Sequence, residues 1–258
     1  MILDDIAAYT KERVRKLKDK KNLYAVRDEA ENRPAGQDFK AALAADGLSV
    51  IAELKKASPS KGLIAPDFEQ RYLKQAAAYE QGGASAISCL TEPKFFLGSD
   101  EYLMNVRKAV ELPILRKDFT VDEYQIYEAK TIGADAVLLI CSLLSEAQLG
   151  EYLAQARELG LSALVEAHDL DEVQAALAVG ADIIGVNNRN LKDFSVNPLN
   201  SLRLREAIPK DKIFVAESGI AKASDADGLK AAGVQAVLVG EALMRSADPA
   251  TFLKELRA

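Results

Sequence analysis

The residues of this chain best suited to chemistry are charged side chains placed at the ends of apolar runs. In IAELKKASPSKGLI (51–64), Glu53 interrupts an apolar strand-like segment, and Lys55, Lys56 and a Ser-Pro-Ser-Lys-Gly turn follow at once. Charged groups are seldom buried unless they are paired or used. Other apolar runs end the same way: Lys117 in ILRKDF, Glu166 and His168 in LVEAH, Asn187 and Arg189 in GVNNRN, Glu217 in VAESG. Amines beside carboxylates can act as general acid and general base. Any one Lys or Glu is most simply a surface or ion-paired group. The case rests on the set: Glu53, Lys55, Lys117, Glu166, Asn187 and Arg189 recur at or just beyond the ends of otherwise apolar segments.

A second chemistry is suggested by Ser218-Gly219 and Gly240-Glu241. Glycine lets a backbone approach an anion closely, and βα turns of this type bind phosphate through N–H groups. A plain turn that needs glycine is the simpler alternative. Phosphate is favoured because both loops carry glycine at the matching place.

The elements that must position these groups can be counted. An amphipathic stretch ending in Gly, then a short Val/Ile/Leu-rich run, recurs in GGASAISCL, IGADAVLLIC, VGADIIGVN and AGVQAVLVG. Glycine there reads as a helix C-cap. Continuous short apolar runs read as parallel strands covered on both faces. Eight candidate strands centre on 50–54, 86–90, 113–116, 136–140, 163–165, 183–186, 213–216 and 236–239, each followed by a helical segment. Thr120-x-x-Glu123, Ser145-x-x-Gln148 and Asp169-x-x-Glu172 resemble capping boxes, and Asp248-Pro249 places a cap and a proline before the last helix. Eight βα units predict a (β/α)8 TIM barrel, with residues 1–46 as an N-terminal helical extension and 47–258 as the barrel of a single domain. A doubly wound open sheet is the structural alternative. The extension should be helical over 2 to about 20 and again near 39–45. It could lie over a barrel mouth or be a loosely attached solvated helix.

Composition excludes several classes. The chain has 258 residues, 28% of them charged, and a formal net charge of −6. It has no strongly basic block, so nucleic acid is not an expected partner. No apolar run approaches the about 20 residues that span a bilayer, so no membrane partner is expected either. The N-terminus lacks the apolar core of a secretory signal, and the expected compartment is cytoplasmic. One histidine and two scattered cysteines, Cys89 and Cys141, do not make a zinc site, and the cysteines read as small buried thiols. Nucleotide-loop motifs are absent.

Seven segments occur in the order found in one known family: IAELKKASPSKG, LTEPKFFLGS, ILRKDF, LVEAH, GVNNRNL, VAESGI and LVGEALM, spanning residues 51 to 245. The chain resembles indole-3-glycerol phosphate synthase. The resemblance implies a phosphorylated small-molecule substrate, closure of a ring with loss of carbon dioxide and water, and no metal or organic cofactor. It implies Lys117 as general acid of ring closure, with Lys55 and Arg189 favouring its neutral form and nearby glutamates opposing that. Glu166 would serve the later proton transfers, Glu53 would orient the lysines, and Lys55 would hold the substrate carboxylate or act as a second acid. Asn187 would bond the ring amine or a sugar hydroxyl, and Arg189 would be partnered by Glu217. Ser58, Ser218, Gly219 and Gly240 match the phosphate and sugar side. Pro59, Leu63, Phe96, Phe119 and Leu191 match positions that form an apolar slot for the ring, although each could equally be core packing. Glu241 stands where the family often has serine, so its backbone N–H is expected to face the ligand and its side chain to turn away. Lys56 should be solvated or ion-paired and Lys61 free to move. A monomer is expected, with a homodimer as the alternative. The rivals are another phosphate-binding barrel of isomerase or Schiff-base aldolase type, and a catalytically silent barrel.

Overall fold

The computed structural model describes residues 2–190 and 194–258. Eight parallel strands close into a barrel: Ser49–Leu54, Ala86–Leu90, Ile114–Lys117, Ala136–Ile140, Ser162–Ala167, Ile183–Asn187, Ile213–Glu217 and Ala236–Val239. They are called the first to eighth barrel strands below. Closure comes from the first strand pairing with the eighth, Ser49 opposite Ala236 through Ala52 opposite Val239. All eight candidate strands lie where the apolar runs placed them, so the open-sheet alternative is set aside.

Period-2 alternation sorts each strand between two cores. Outward side chains such as Val50, Ala52, Leu54, Val165 and Val186 pack under the helices. Inward ones such as Ile51, Leu115, Leu138, Leu164, Ile183, Val215 and Leu238 fill the barrel. The outer helices are amphipathic and capped locally. Ser145 and Gln148 form a reciprocal capping box, and Asp169 accepts from the Glu172 N–H at 3.0 Å. Thr120 does not cap. The helix there runs Tyr124–Thr131, and Asp122 Oδ1 accepts the Tyr124 N–H at 2.9 Å. The preceding turn is tied instead by the Gln125 side chain, which donates to Phe119 O and accepts from Val121 N–H.

The N-terminal extension holds three helices, α1 (Ile2–Lys20), α2 (Leu23–Glu31) and α3 (Phe39–Leu43). The sequence pattern located α1 and α3 but not α2. Phe39 and Leu43 are fully buried in the inner core, and the Ser49 hydroxyl donates to Ala42 O at 3.4 Å, so α3 closes the end of the barrel where the strands begin. Helix α1 is not a loose solvated helix. Leu3, Ile6, Thr10 and Val14 are buried, and Arg13 makes a two-pronged bond to Asp118 at 2.8 Å on each oxygen. No helix among the described residues is long and apolar enough to cross a membrane.

Candidate active site

Five of the eight inward series end in a polar residue where the strand reaches the C-terminal rim. Ile51 is followed inward by Glu53 and Lys55, Leu115 by Lys117, Leu164 by Glu166, Ile183 and Gly185 by Asn187, and Val215 by Glu217. The same alternation that fills the barrel with apolar side chains thus delivers the charged ones to one cavity of about 310 Å³. Among the described residues, every candidate faces that cavity except Leu63. Leu191 lies outside the described residues.

The carboxylates lie deep. Glu53, Glu166 and Glu217 are 3%, 4% and 2% exposed. Lys117 Nζ sits 3.3 Å from Glu166 Oε2 and 3.8 Å from Glu217 Oε2. Lys55 is paired with Glu53. Asn187 Nδ2 donates to Glu166 Oε1 at 3.0 Å, and its Oδ1 accepts the Arg189 N–H at 2.9 Å, which fixes which way the amide points. Burial by itself would lower the Lys117 pKa, but the charges of Glu166, Glu217 and Glu53 outweigh it and hold the ammonium above the usual lysine range. The glutamates therefore decide its state, not crowding by Lys55 and Arg189. Glu217 is pushed up to about 8, first by burial and then by Glu166, with Lys117 pulling the other way. Its Oε1 is buried without a hydrogen-bond partner among the described residues.

Two glycines make room for this cluster. A Cβ on Gly240 would stand 2.3 Å from Glu53 Oε1 and 2.9 Å from Lys55 Nζ, and one on Gly185 would stand 2.2 Å from Glu217 Oε1. Gly185 carried no charge to draw attention in the sequence. Its signal was only a small residue inside an apolar strand.

Several expectations need correction. Glu217 is partnered by Lys117; Arg189 Nη1 instead donates to Phe194 O at 3.0 Å. Leu63 is 51% exposed, and Ile64 takes the place on the cavity wall. The cause is a small hairpin, Ala57–Ser58 with Gly62–Leu63, in which Leu63 pairs with Ala57 and the next residue turns inward to bond Lys56 O. Lys61 is not free: its Nζ lies 3.6 Å from Glu241 Oε2. Glu241 also accepts from Arg245 Nε at 3.1 Å, so its carboxylate is engaged by cations. Lys56 is ion-paired with Glu69.

The apolar side of the cavity carries Phe96 and Phe119, whose ring centroids are 5.8 Å apart, with Ile64, Leu90 and Leu138. Phe96 is presented by a turn folded round the fully buried Glu92, whose carboxylate accepts the N–H groups of Lys94, Phe95 and Phe96 at 3.0, 2.6 and 2.9 Å. On the opposite side, Ser218 and Gly219 both have left-handed backbone, φ 67° and 87°. The N–H groups of Gly219 and Ile220 make no hydrogen bond among the described residues, whereas the pairing of Glu217 with Leu238 directs the Ser218 N–H at the eighth barrel strand. The arrangement thus offers a charged proton-transfer cluster between an aromatic wall and a turn with free N–H donors.

Comparison with known proteins adds four findings. A family profile described as indole-3-glycerol phosphate synthase matches residues 3–256. The chain is 54% identical over 259 residues to an indole-3-glycerol phosphate synthase of Ruminiclostridium cellulolyticum, covering 100% of this chain and 99% of that one. It is 53% identical to another from Endomicrobium trichonymphae, with 100% of both chains covered. Among solved structures, a 3-hexulose-6-phosphate synthase superposes with a TM-score of 0.65 over 81% of this chain and 98% of the other, at 18% identity, a likeness of fold alone.

Proposed function

The chain belongs to the indole-3-glycerol phosphate synthase family, carboxy-lyases of tryptophan biosynthesis, and from that premise we propose how its own residues carry the reaction. The substrate is 1-(2-carboxyphenylamino)-1-deoxyribulose 5-phosphate. Its aromatic ring lies in the slot of Phe96, Phe119, Pro59 and Ile64, and its phosphate lies against the backbone of Ser218, Gly219 and Gly240, with Ser58 on the same side.

In the first step the ring carbon bearing the carboxylate attacks the sugar ketone. A carbon–carbon bond forms and the ketone oxygen takes a proton. Lys117 supplies it. An ammonium held charged by the carboxylates of Glu166 and Glu53, with Glu217 beside it, is loaded as an acid, and it is placed where the oxyanion develops. Carbon dioxide then leaves and its electron pair restores the ring. In the last step the new hydroxyl departs as water with a proton from an acid, and a base takes the proton that the product loses. Glu166, 3.3 Å from Lys117 and fixed by Asn187, is set for these transfers. Glu53 and Lys55 form the second acid–base pair, with Lys55 also opposite the substrate carboxylate. Arg189 and Glu217 complete the charge balance.

The observation that carries this reading is Lys117 Nζ lying between Glu166 and Glu217 in a cavity whose two sides suit a ring and a phosphate. No metal or organic cofactor is invoked. Two free thiols, Cys89 and Cys141, fit a reducing, cytoplasmic setting. The direct test is to supply the anilino-deoxyribulose phosphate and follow indole fluorescence. Steady appearance of product is expected; none from the folded protein would sink the reading.

A further inference from the structure

Asn188 is 2% exposed and follows Asn187 at the end of the sixth barrel strand, yet it points away from the reacting groups. Every polar group it owns is engaged. Its N–H donates to Glu217 O at 2.8 Å and its carbonyl accepts the Asn197 N–H at 2.9 Å. Its Oδ1 accepts both the N–H and the hydroxyl of Ser201, at 2.9 and 2.8 Å. Since Oδ1 is taken by two donors, the amide nitrogen must face the other way, and Nδ2 donates to Ser218 O at 3.0 Å.

Ser218 is one of three non-glycine residues with positive φ among the described residues. A residue with a Cβ adopts that conformation only when its surroundings hold it there. The visible hold on the Ser218 carbonyl is the Asn188 amide, itself anchored to the start of the helix Asn200–Leu204. The conformation of Ser218 sets where the N–H groups of Gly219 and Ile220 point, and these are donors without a partner among the described residues.

We propose that Asn188 is a positioning residue for phosphate binding: its buried amide pins the Ser218 carbonyl and so keeps the Ser218–Gly219 turn in the form that presents its free N–H groups to the substrate phosphate. The proposal rests on the phosphate assignment made above for that turn. The Asn188 side chain touches neither the substrate nor the side chains of the proton-transfer cluster; its partners are Ser218 and Ser201. Its loss therefore acts on substrate retention and not on the chemical step.

The test uses the intact enzyme, its substrate, and inorganic phosphate as a competitive inhibitor. Asn188→Asp keeps the shape and the Oδ1 contacts to Ser201 but sets an acceptor against the Ser218 carbonyl. KM and the phosphate inhibition constant should both rise about tenfold or more while kcat changes by less than about threefold. Asn188→Ala is measured beside it, as a variant that removes the donor without adding a charge. Glycine takes left-handed backbone without strain, so in a Ser218→Gly background the further change Asn188→Asp should raise KM less than about threefold. Unchanged KM and phosphate inhibition in both Asn188 variants would overturn the role, as would a fall in kcat alone or an undiminished effect in the Ser218→Gly background. If phosphate does not compete with substrate in the unmodified enzyme, the phosphate assignment itself fails and the proposal falls with it.

Discussion

At the scale of single residues, the site is a problem in charge balance. Three buried carboxylates share two ammonium groups, Lys55 and Lys117, so one carboxyl is left poorly compensated; it is Glu217. Lys117→Ala should lower kcat by about 100- to 10,000-fold with the fold intact, since a general acid contributes about that much. Indole fluorescence at saturating substrate gives kcat and circular dichroism checks the fold; retained turnover would remove Lys117 from its role. Glu217 makes a prediction about pH. In the folded protein it keeps its proton up to about 8, whereas its ordinary value is 4.5. Between those values the folded state binds more protons than the unfolded state, so stability declines as pH rises. The contribution is full below about 4.5 and lost above about 8. Urea midpoints of the unmodified protein should therefore fall more steeply from about pH 5 to about pH 8 than those of Glu217→Gln. Parallel curves would show that Glu217 ionises normally. The positions of Glu53, Lys117, Glu166, Asn187 and Glu217 were legible because each interrupts or ends an apolar run. Gly185 and Asn188 were not put forward as site residues, because a glycine in a strand and an amide in a loop have no signature until their neighbours are known.

At the scale of elements, the strand ends and the loops behave differently. The eight strands are apolar and short, and most of the helices between them end at a glycine, so their existence and most of their bounds follow from local pattern. Loop side chains depend on turns that bring distant backbone together. Leu63 illustrates this: a two-residue hairpin pairing reverses which of Leu63 and Ile64 faces the cavity. Thr120 illustrates it again, since the Gln125 side chain orders the turn that Thr120 was expected to cap. Gly240 is the element-level counterpart of the charge cluster. A methyl group there would displace Glu53 and Lys55, given the 2.3 and 2.9 Å approaches. Gly240→Ala should lower kcat/KM by about 100-fold, the usual consequence of misplacing reacting groups by about 1 Å. The melting temperature should move far less than in a core truncation. Unaltered kinetics in that variant would mean the pair can shift without cost to catalysis.

At the scale of the whole molecule, the N-terminal extension is fastened to the rim beside Lys117. Arg13 grips Asp118, the residue after Lys117, and Asp118 also accepts the Thr91 hydroxyl at 2.7 Å. Tyr9 packs edge-on to Phe95 at 6.0 Å, next to the loop that presents Phe96. Arg13→Ala leaves a buried carboxylate with fewer partners and should cost about 1–3 kcal/mol of stability, measured by urea unfolding. A change below about 0.5 kcal/mol would mean that Thr91 and the nearby Arg116 suffice for Asp118. The second helix of the extension, Leu23–Glu31, was not anticipated, although Asn22 caps it and Val26 and Ala30 form its buried face. With only nine residues and two buried apolar positions, its pattern is too short to stand out from polar sequence.

The sequence by itself determined the barrel, because parallel strands covered on both faces must be apolar along their length, and glycines ending most of the intervening helices mark where the next strand begins. It also determined which strand ends carry ionisable groups, since a charge in an apolar run is visible without coordinates. Only the tertiary structure decided how those charges pair: Glu217 with Lys117 and not with Arg189, and Glu241 with Lys61 and Arg245. Pairing depends on distances of a few ångströms between segments far apart in the chain, and closure of the barrel sets those distances. The protonation states follow from them, because burial and neighbouring charge act only once the strands have brought the groups together.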